Sequence, residues 1–185
     1  FRGDVLDEDL VLLLKEAGMY RCMVAVESAS PRIQKVMKKR LKIDKVRKIV
    51  DFIADQGILV HGAFMLGFPS ETEEEMEATI KWASSSSFHT AAFFRVIPFK
   101  GTELFEEVEH AGYQLPTDWS AYEPYQTEIN LSEVNEERIF KLRKSAYRRF
   151  YLRPKRLWEI FKLIPNKMTM IPHLGLVFAQ RAYAR

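Results

Sequence analysis

Three apolar runs of strand length, Tyr20 to Val26, Ile58 to Leu66 and Thr90 to Ile97, are each followed by a turn and then by a helix signal. This alternation constrains the fold more than any other feature. The first run lacks polar alternation, which suits a strand covered on both faces, as in a parallel sheet. Strand and helix in turn argue for parallel pairing with helices on one side, and right-handed crossovers curl such a sheet toward a barrel or a doubly wound layer. Phe1 to Asp4 reads as the end of a further strand. Three complete strands and a stub are too few for a closed barrel or an ordinary dinucleotide-binding sheet. The sheet is therefore expected to be truncated on its N-terminal side, and the chain to be cut from something longer.

The helices are legible from their caps and stripes. Asp7 to Ala17 places Leu10, Leu13, Leu14 and Ala17 on one face and stops at Gly18. Ser30 followed by Pro31 starts a short helix predicted to run through Lys39. Asp44 to Gln56 carries Val46, Ile49, Val50 and Ile53 on one face. For the next helix, through Ala83, Ser70 with Glu73 or Thr72 with Glu75 makes a capping box, and the four serines Ser84 to Ser87 end it. Pro98 to Thr102 caps a helix from Glu103 to Ala111. After Gly112 the pattern changes. Residues 113–131 have no period and read as an ordered connecting loop rich in aromatics and prolines. A helix then opens near Ser132, with Asn135 or Glu136, on a stripe of Ile139, Leu142, Ala146 and Phe150, and Arg153-Pro154 ends it. Short amphipathic helices are expected over 155–163 and 174–184, with Trp158, Phe161, Met168, Met170 and Phe178 as packing residues. The expected division is thus 1–112, 113–131 and a basic helical tail, 132–185.

With 185 residues, nearly half of them apolar, one domain with a core is affordable. No apolar run approaches the roughly 18 residues of a membrane span, and no signal peptide opens the chain, so the expected address is cytoplasmic. The one cysteine, Cys22, excludes an internal disulfide framework and a multi-cysteine metal site, and reads as a buried strand residue. The net charge of +3 hides an asymmetry: Arg138 to Lys162 holds ten Lys or Arg against one acid, Glu159. Such blocks bind phosphate, nucleic acid or acidic lipid, but more often form a solvated helix face.

Ligands of open parallel sheets and barrels bind at the carboxyl ends of the strands, where loops and helix N-termini converge. That singles out Glu27 and Ser28, Gly67 to Ser70, and Ile97 with Pro98. A carboxylate at the end of an apolar strand needs donors, which a ribose supplies, or else caps the adjacent helix. Gly67 admits close approach of backbone to a ligand, or simply serves a turn. Lys38, Lys39 and Arg40 can hold a carboxylate by charge-assisted bonds, although most such triplets lie on the surface. His61, His89, His110 and His173 share no metal-ligand spacing and read as structural. No phosphate-binding loop, zinc motif or serine-hydrolase context is present.

Four blocks in order carry a resemblance. They are Val24-Ala25-Val26-Glu27-Ser28-Ala29-Ser30; Met37-Lys38-Lys39; Gly57-Ile58 with His61 through Thr72; and Ile97-Pro98-Phe99-Lys100-Gly101-Thr102-Glu103-Leu104. Over residues 1–112 they resemble the radical SAM superfamily. Ala146 to Pro154 is similar to a segment common after the barrels of its cobalamin-binding subgroup. The resemblance implies an α/β fold, a partial (β/α)6 barrel followed by a helical tail. It also implies a 4Fe-4S cluster that binds S-adenosylmethionine and cleaves it reductively to a 5′-deoxyadenosyl radical, with cobalamin in an upstream domain. By position, Glu27 and Ser28 match the ribose contact, Lys39 the partner of the ligand's carboxylate, Met65 and Gly67 the strand packing on adenine, and Ile97 with Pro98 the strand end that reads it. Ala25 and Ala29 stand where the family often has glycine. Ala63 and Ser70 depart from its Gly-x-Ile-x-Gly-x-x-Glu pattern, with Glu71 one place late.

The cluster-binding Cys-x-x-x-Cys-x-x-Cys loop is absent, and Cys22 alone cannot replace it. Alone, the chain is expected to hold no cofactor and to be inactive. The expected partner is the missing N-terminal half of the same chain, with self-association through the open sheet edge as a further expectation. The intact protein is expected to act on a substrate the sequence does not name, by methylation, ring closure or another oxidation. Two alternatives stand beside this reading: a non-catalytic scaffold, or a module whose basic tail binds nucleic acid or another acidic partner. The tail's aromatics form no recognisable base-stacking motif, which argues against nucleic acid.

Overall fold

The computed structural model describes residues 1–113, 115 and 129–163. Three strands, β1 (Arg21–Glu27), β2 (Leu59–Leu66) and β3 (Thr90–Arg95), form a parallel sheet in the order β1-β2-β3. Helices α1 (Glu8–Glu16), α2 (Pro31–Val36), α3 (Ile43–Asp55), α4 (Glu73–Ser85), α5 (Glu103–His110), α6 (Glu136–Tyr151) and α7 (Pro154–Leu163) complete it. Most of the 113–131 loop, the helix expected over 174–184, and His173, Met168, Met170 and Phe178 lie outside the described residues. Among the described residues no helix is long and apolar enough to cross a membrane.

Side-chain oxygens start the helices where the sequence placed them. Asp7, Ser30, Thr72, Thr102 and Asn135 each accept an amide from the first turn they precede. Of the two capping boxes open to α4, the Thr72 and Glu75 pair forms. The helix predicted to end at Lys39 stops earlier, at Val36, because Lys38 and Arg40 adopt left-handed backbone with φ of 56° and 50°. α1 also departs from its predicted face: Val11 is fully buried, whereas Leu10 and Leu13 are exposed. Two apolar stripes overlap on this helix, and packing against α3 selects the one through Val11.

One face of the sheet is covered by helices. Val24, Val26, Val60, Phe64, Leu66 and Phe93 are buried there against α3, α4 and α6. The Phe64 ring stacks on Phe93 at 5.3 Å and meets Phe88 edge-on at 5.6 Å. Gly62 must be glycine in this cluster, since a Cβ there would lie 2.7 Å from the Phe64 ring. The opposite face carries Met23, Ala25, His61, Met65, Thr90 and Phe94. Burial therefore alternates along β1, and Met23 is 51% exposed. Coverage on both faces, expected from the apolar run, does not hold for β1. Its second face carries apolar side chains that the described helices do not reach.

The two sheet edges end differently. Beyond β1, the Phe1 amino group donates to the Met23 carbonyl at 2.6 Å and the Ala25 amide donates to the Phe1 carbonyl at 3.2 Å. This is the slanted pattern of a parallel pair about Val24, and it agrees with the stub read from the sequence. Along β3, side chains of α6 occupy the edge. The Tyr147 hydroxyl accepts from the Phe93 amide at 3.2 Å, and the Tyr151 hydroxyl accepts from the Ala91 amide at 3.0 Å and donates to its carbonyl at 2.9 Å. Hydroxyls thus take the place of a neighbouring strand.

Four of the ten cations of the basic block hold α6 and α7 to α4 and the backbone that follows it. Arg138 pairs with Glu73 and Arg149 with Glu77, both on α4. Arg153 donates to the Ser84 carbonyl. Arg156, 5% exposed, donates to the carbonyls of Ser84, Ser86, Phe88 and Phe150, and its guanidinium lies 3.6 Å over the Phe150 ring. Burial without a carboxylate partner lowers its pKa to about 10.

Candidate ligand-binding site

Among the described residues the left-handed ones other than glycine are Glu27 at the end of β1, Ser70 in the turn after β2, and Lys38 and Arg40 in the loop that follows α2. Such conformations cost free energy and persist where surrounding bonds dictate them. At the end of β1 the register slips between Ala25 and Glu27, and Glu27 turns with φ of 66°. This bulge aims its carboxylate at Lys39, whose Nζ donates to Glu27 Oε1 at 3.0 Å and to the Ala25 carbonyl at 2.7 Å. Both side chains are about one-fifth exposed. Gln34, buried in α2, ties the end of β1 to the segment that follows Lys39. Its Nε2 donates to the Val26 and Ser28 carbonyls, and its Oε1 accepts from the Leu41 amide. Of the basic triplet, only Lys39 reaches the strand ends. Lys38 pairs with Glu103 at the surface, and Arg40 is exposed.

Ser28 lies apart from that pair. Its hydroxyl is fully buried, shares a bond of 3.1 Å with Thr79 Oγ1 and accepts from the Ser30 amide at 3.1 Å. This ties the end of β1 to α4.

After β2, Gly67 takes φ of 97° and opens a turn. Glu71 folds back beneath it, and Oε2 accepts from the Gly67 amide at 2.7 Å and the Phe68 amide at 3.0 Å. Glu71 is fully buried and its Oε1 has no hydrogen-bond partner. Burial raises its pKa to about 7, against the opposing pull of the two amides. Glu75 behaves oppositely. It accepts from Arg32, Ser30 Oγ and the Thr72 amide, and these bonds, that from Arg32 foremost, lower its pKa to about 2.

Ile97 and Pro98 are buried just past β3, and Met65 sits half-buried on the open face. Arg95 ends β3. Its guanidinium makes a two-pronged pair with Glu136 at 2.7 Å and donates to the Ile129 carbonyl at 3.0 Å, while Nε is buried without a partner. A Cβ at Gly67 would stand 3.6 Å from that Nε. The strand ends thus bring Glu27 and Lys39 together and set Gly67, Ile97 and Pro98 around the neighbouring turns. Arg32, Gln34 and Arg95 were not singled out from the sequence. A charge inside an apolar run, as at Arg95, was the available signal.

Residues 2–83 match the Radical SAM superfamily. This part of the chain belongs to that superfamily. The chain is 36% identical over 158 residues to an uncharacterized methyltransferase of Pyrococcus horikoshii, covering 83% of this chain and 34% of that protein. It is 32% identical to cytidylyl-2-hydroxyethylphosphonate methyltransferase of Streptomyces wedmorensis, covering 61% of this chain and 22% of that one. It also shares 27% identity with the anaerobic magnesium-protoporphyrin IX monomethyl ester cyclase of Rubrivivax gelatinosus, over 57% of this chain and 19% of the enzyme. The chain therefore spans about a third or less of the length of these curated relatives. Coproporphyrinogen III oxidase from Escherichia coli, a radical SAM enzyme, superposes with a TM-score of 0.50 at 14% identity, over 61% of this chain and 32% of that structure. That likeness concerns the fold alone.

Radical SAM proteins use S-adenosylmethionine and a 4Fe-4S cluster, and the two fit these residues differently. A carboxylate, an ammonium and an open-backed glycine at adjoining strand ends suit a zwitterionic nucleoside ligand. The cluster does not fit. Cys22 is buried on the helix-covered face of β1 and burial raises its thiol pKa, disfavouring the thiolate that iron requires. Among the described residues no three His, Cys, Asp or Glu side chains converge as metal ligands.

Proposed function

We propose that this chain is the S-adenosylmethionine-binding wall of a radical SAM enzyme, with methyl transfer as its reaction class. The observation that carries the reading is the Glu27 and Lys39 pair, 3.0 Å apart at the bulged end of β1, beside the Gly67 turn. Glu27 is the acceptor for the ribose hydroxyls, and Lys39 the donor to the ligand's carboxylate. Gly67 would let backbone approach the adenine, with Met65 as its packing residue and the backbone of Ile97 and Pro98 as the strand end that reads it. Ser28 supports Glu27 through its bond to Thr79 instead of meeting the ligand. Glu71 holds the Gly67 and Phe68 amides that give the turn its shape. Once bound and reduced, S-adenosylmethionine supplies the radical chemistry of the family.

The cluster cysteines belong to a part of the polypeptide not contained in these residues. The outer edge of β1, where Phe1 already makes one parallel pair, is the place for the preceding strand. The exposed Leu13, Tyr20 and Met23 are apolar surface available to that half. Methyltransferases among the relatives favour methylation over ring closure, and a cobalamin domain upstream and a cytoplasmic setting complete the proposal. Arg138, Arg149, Arg153 and Arg156 are bound within the fold, which withdraws these four charges from the acidic-partner reading.

The test is calorimetric titration of S-adenosylhomocysteine into the protein expressed from its complete reading frame. Lys39→Met and Glu27→Ala are each expected to weaken binding about tenfold or more, the loss of one charge-assisted bond. A wild-type protein that takes up no S-adenosylhomocysteine overturns the assignment.

A further inference from the structure

Glu75 and Arg32 form a dense polar knot that the proposed ligand contacts do not use. Arg32 Nε donates to Glu75 Oε1 at 2.9 Å and Nη2 donates to Oε2. The same guanidinium reaches Ser70 twice, with Nη1 on Oγ at 2.9 Å and Nη2 on the carbonyl at 2.6 Å. Glu75 in turn accepts from Ser30 Oγ at 2.7 Å and from the Thr72 amide at 3.1 Å. One arginine and one carboxylate therefore join the loop after Glu27, through Ser30, to the loop after β2, which carries Gly67.

Ser70 explains why the join is needed. Its φ of 57° lies in the left-handed region, which a residue bearing a Cβ occupies only at a cost. Its amide is spent on the Leu131 carbonyl at 3.1 Å. The guanidinium grips both remaining polar atoms of this residue, its hydroxyl and its carbonyl. Only a planar fork of donors does that while also pairing with a carboxylate, and a lysine ammonium has no such geometry. Side-chain exposure is 46% for Arg32 and 18% for Glu75, so the knot sits at the rim of the site and its acid end is shielded.

We infer that Arg32 is a positioning residue: held by Glu75, it keeps Ser70 left-handed and so sets the Gly67 to Glu71 turn against the end of β1. The inference rests on the ligand reading given above for its effect on binding, but not for its effect on the turn. Because the arginine offsets a strain that glycine would not carry, its importance depends on what stands at position 70.

The test is a double-mutant cycle on Arg32→Met and Ser70→Gly in the protein expressed from its complete reading frame. It is read by S-adenosylhomocysteine titration and by amide hydrogen exchange at Ser70 and Glu71, whose amides bond to the Leu131 and Phe68 carbonyls. Arg32→Met is expected to weaken binding about tenfold and to speed both exchanges comparably, the size of one relieved backbone strain. Measured against Ser70→Gly, the same substitution is expected to change either by less than about twofold. A merely structural ion pair would cost the same in both backgrounds, and that result overturns the inference, as does unchanged binding and exchange in Arg32→Met. If the wild type binds no S-adenosylhomocysteine, the ligand reading falls by itself, and the exchange rates alone decide the role of Arg32.

Discussion

Glu71→Gln gives the sharpest test of the turn at the end of β2. The carboxyl is fully buried, donors reach only Oε2, and its pKa rises from 4.5 to about 7. The charged groups acting on it are Glu75, which raises the value, and Arg32, which lowers it. Between those two pH values the unfolded chain has released a proton that the folded chain still holds. Stability therefore falls as pH rises through this window, and levels off above it. A shift of about 2.5 units at about 1.36 kcal/mol each amounts to about 3 kcal/mol of stability present at pH 4 and missing at pH 8. Glutamine keeps an acceptor for the Gly67 and Phe68 amides but has no proton to lose. The assay is urea unfolding of wild type and variant from pH 4 to pH 8. The stability of Glu71→Gln relative to wild type is expected to rise by about 3 kcal/mol across the range. Other titrating groups, His89 among them, cancel in this difference. A constant difference, or one of opposite sign, would refute the reasoning, since it would mean that the carboxyl titrates like an exposed one.

Three further outcomes are expected. The 185-residue chain alone, reconstituted anaerobically with iron and sulfide, should carry no stoichiometric cluster by metal analysis, and a full complement would contradict the placement of the cysteines elsewhere. Tyr151→Phe with Tyr147→Phe frees amides and a carbonyl on the β3 edge. It should cost about 1 to 3 kcal/mol and raise self-association in sedimentation, whereas an unchanged clean monomer would show that the hydroxyls do not guard the edge. Arg156→Met takes a donor from four carbonyls, of which Ser84 keeps Arg153, for a loss of about 3 kcal/mol or more in urea unfolding, and a loss below about 1 kcal/mol would deny the arginine its structural role.

The strands, most of the helices and their caps could be read from local signals, because an apolar run, a Ser-Pro start or a capping box acts within a few residues of itself. Glu27, Lys39 and Gly67 were likewise visible, as polar or flexible positions closing apolar strands. Where two local signals overlapped, only packing chose between them. Val11 took the buried side of α1 from Leu10 and Leu13, and Thr72 with Glu75 displaced Ser70 with Glu73 as the box of α4. The early end of α2 was hidden for a similar reason, since Gln34 holds the chain at Arg40 and Leu41, its carbonyl accepting the first amide and its side chain the second.

The sequence by itself determined the succession of strands and helices and the family to which residues 2–83 belong, because hydrophobic period and short motifs are properties of neighbouring residues. The tertiary structure decided which charges meet. Glu27 finds Lys39 across 12 residues, Arg32 finds Glu75 across 43, and Arg138, Arg149 and Arg156 of the basic block find α4. Electrostatic and hydrogen-bonding partners depend on distance in space and on burial, and chain order encodes neither until the sheet has brought its loops to one end.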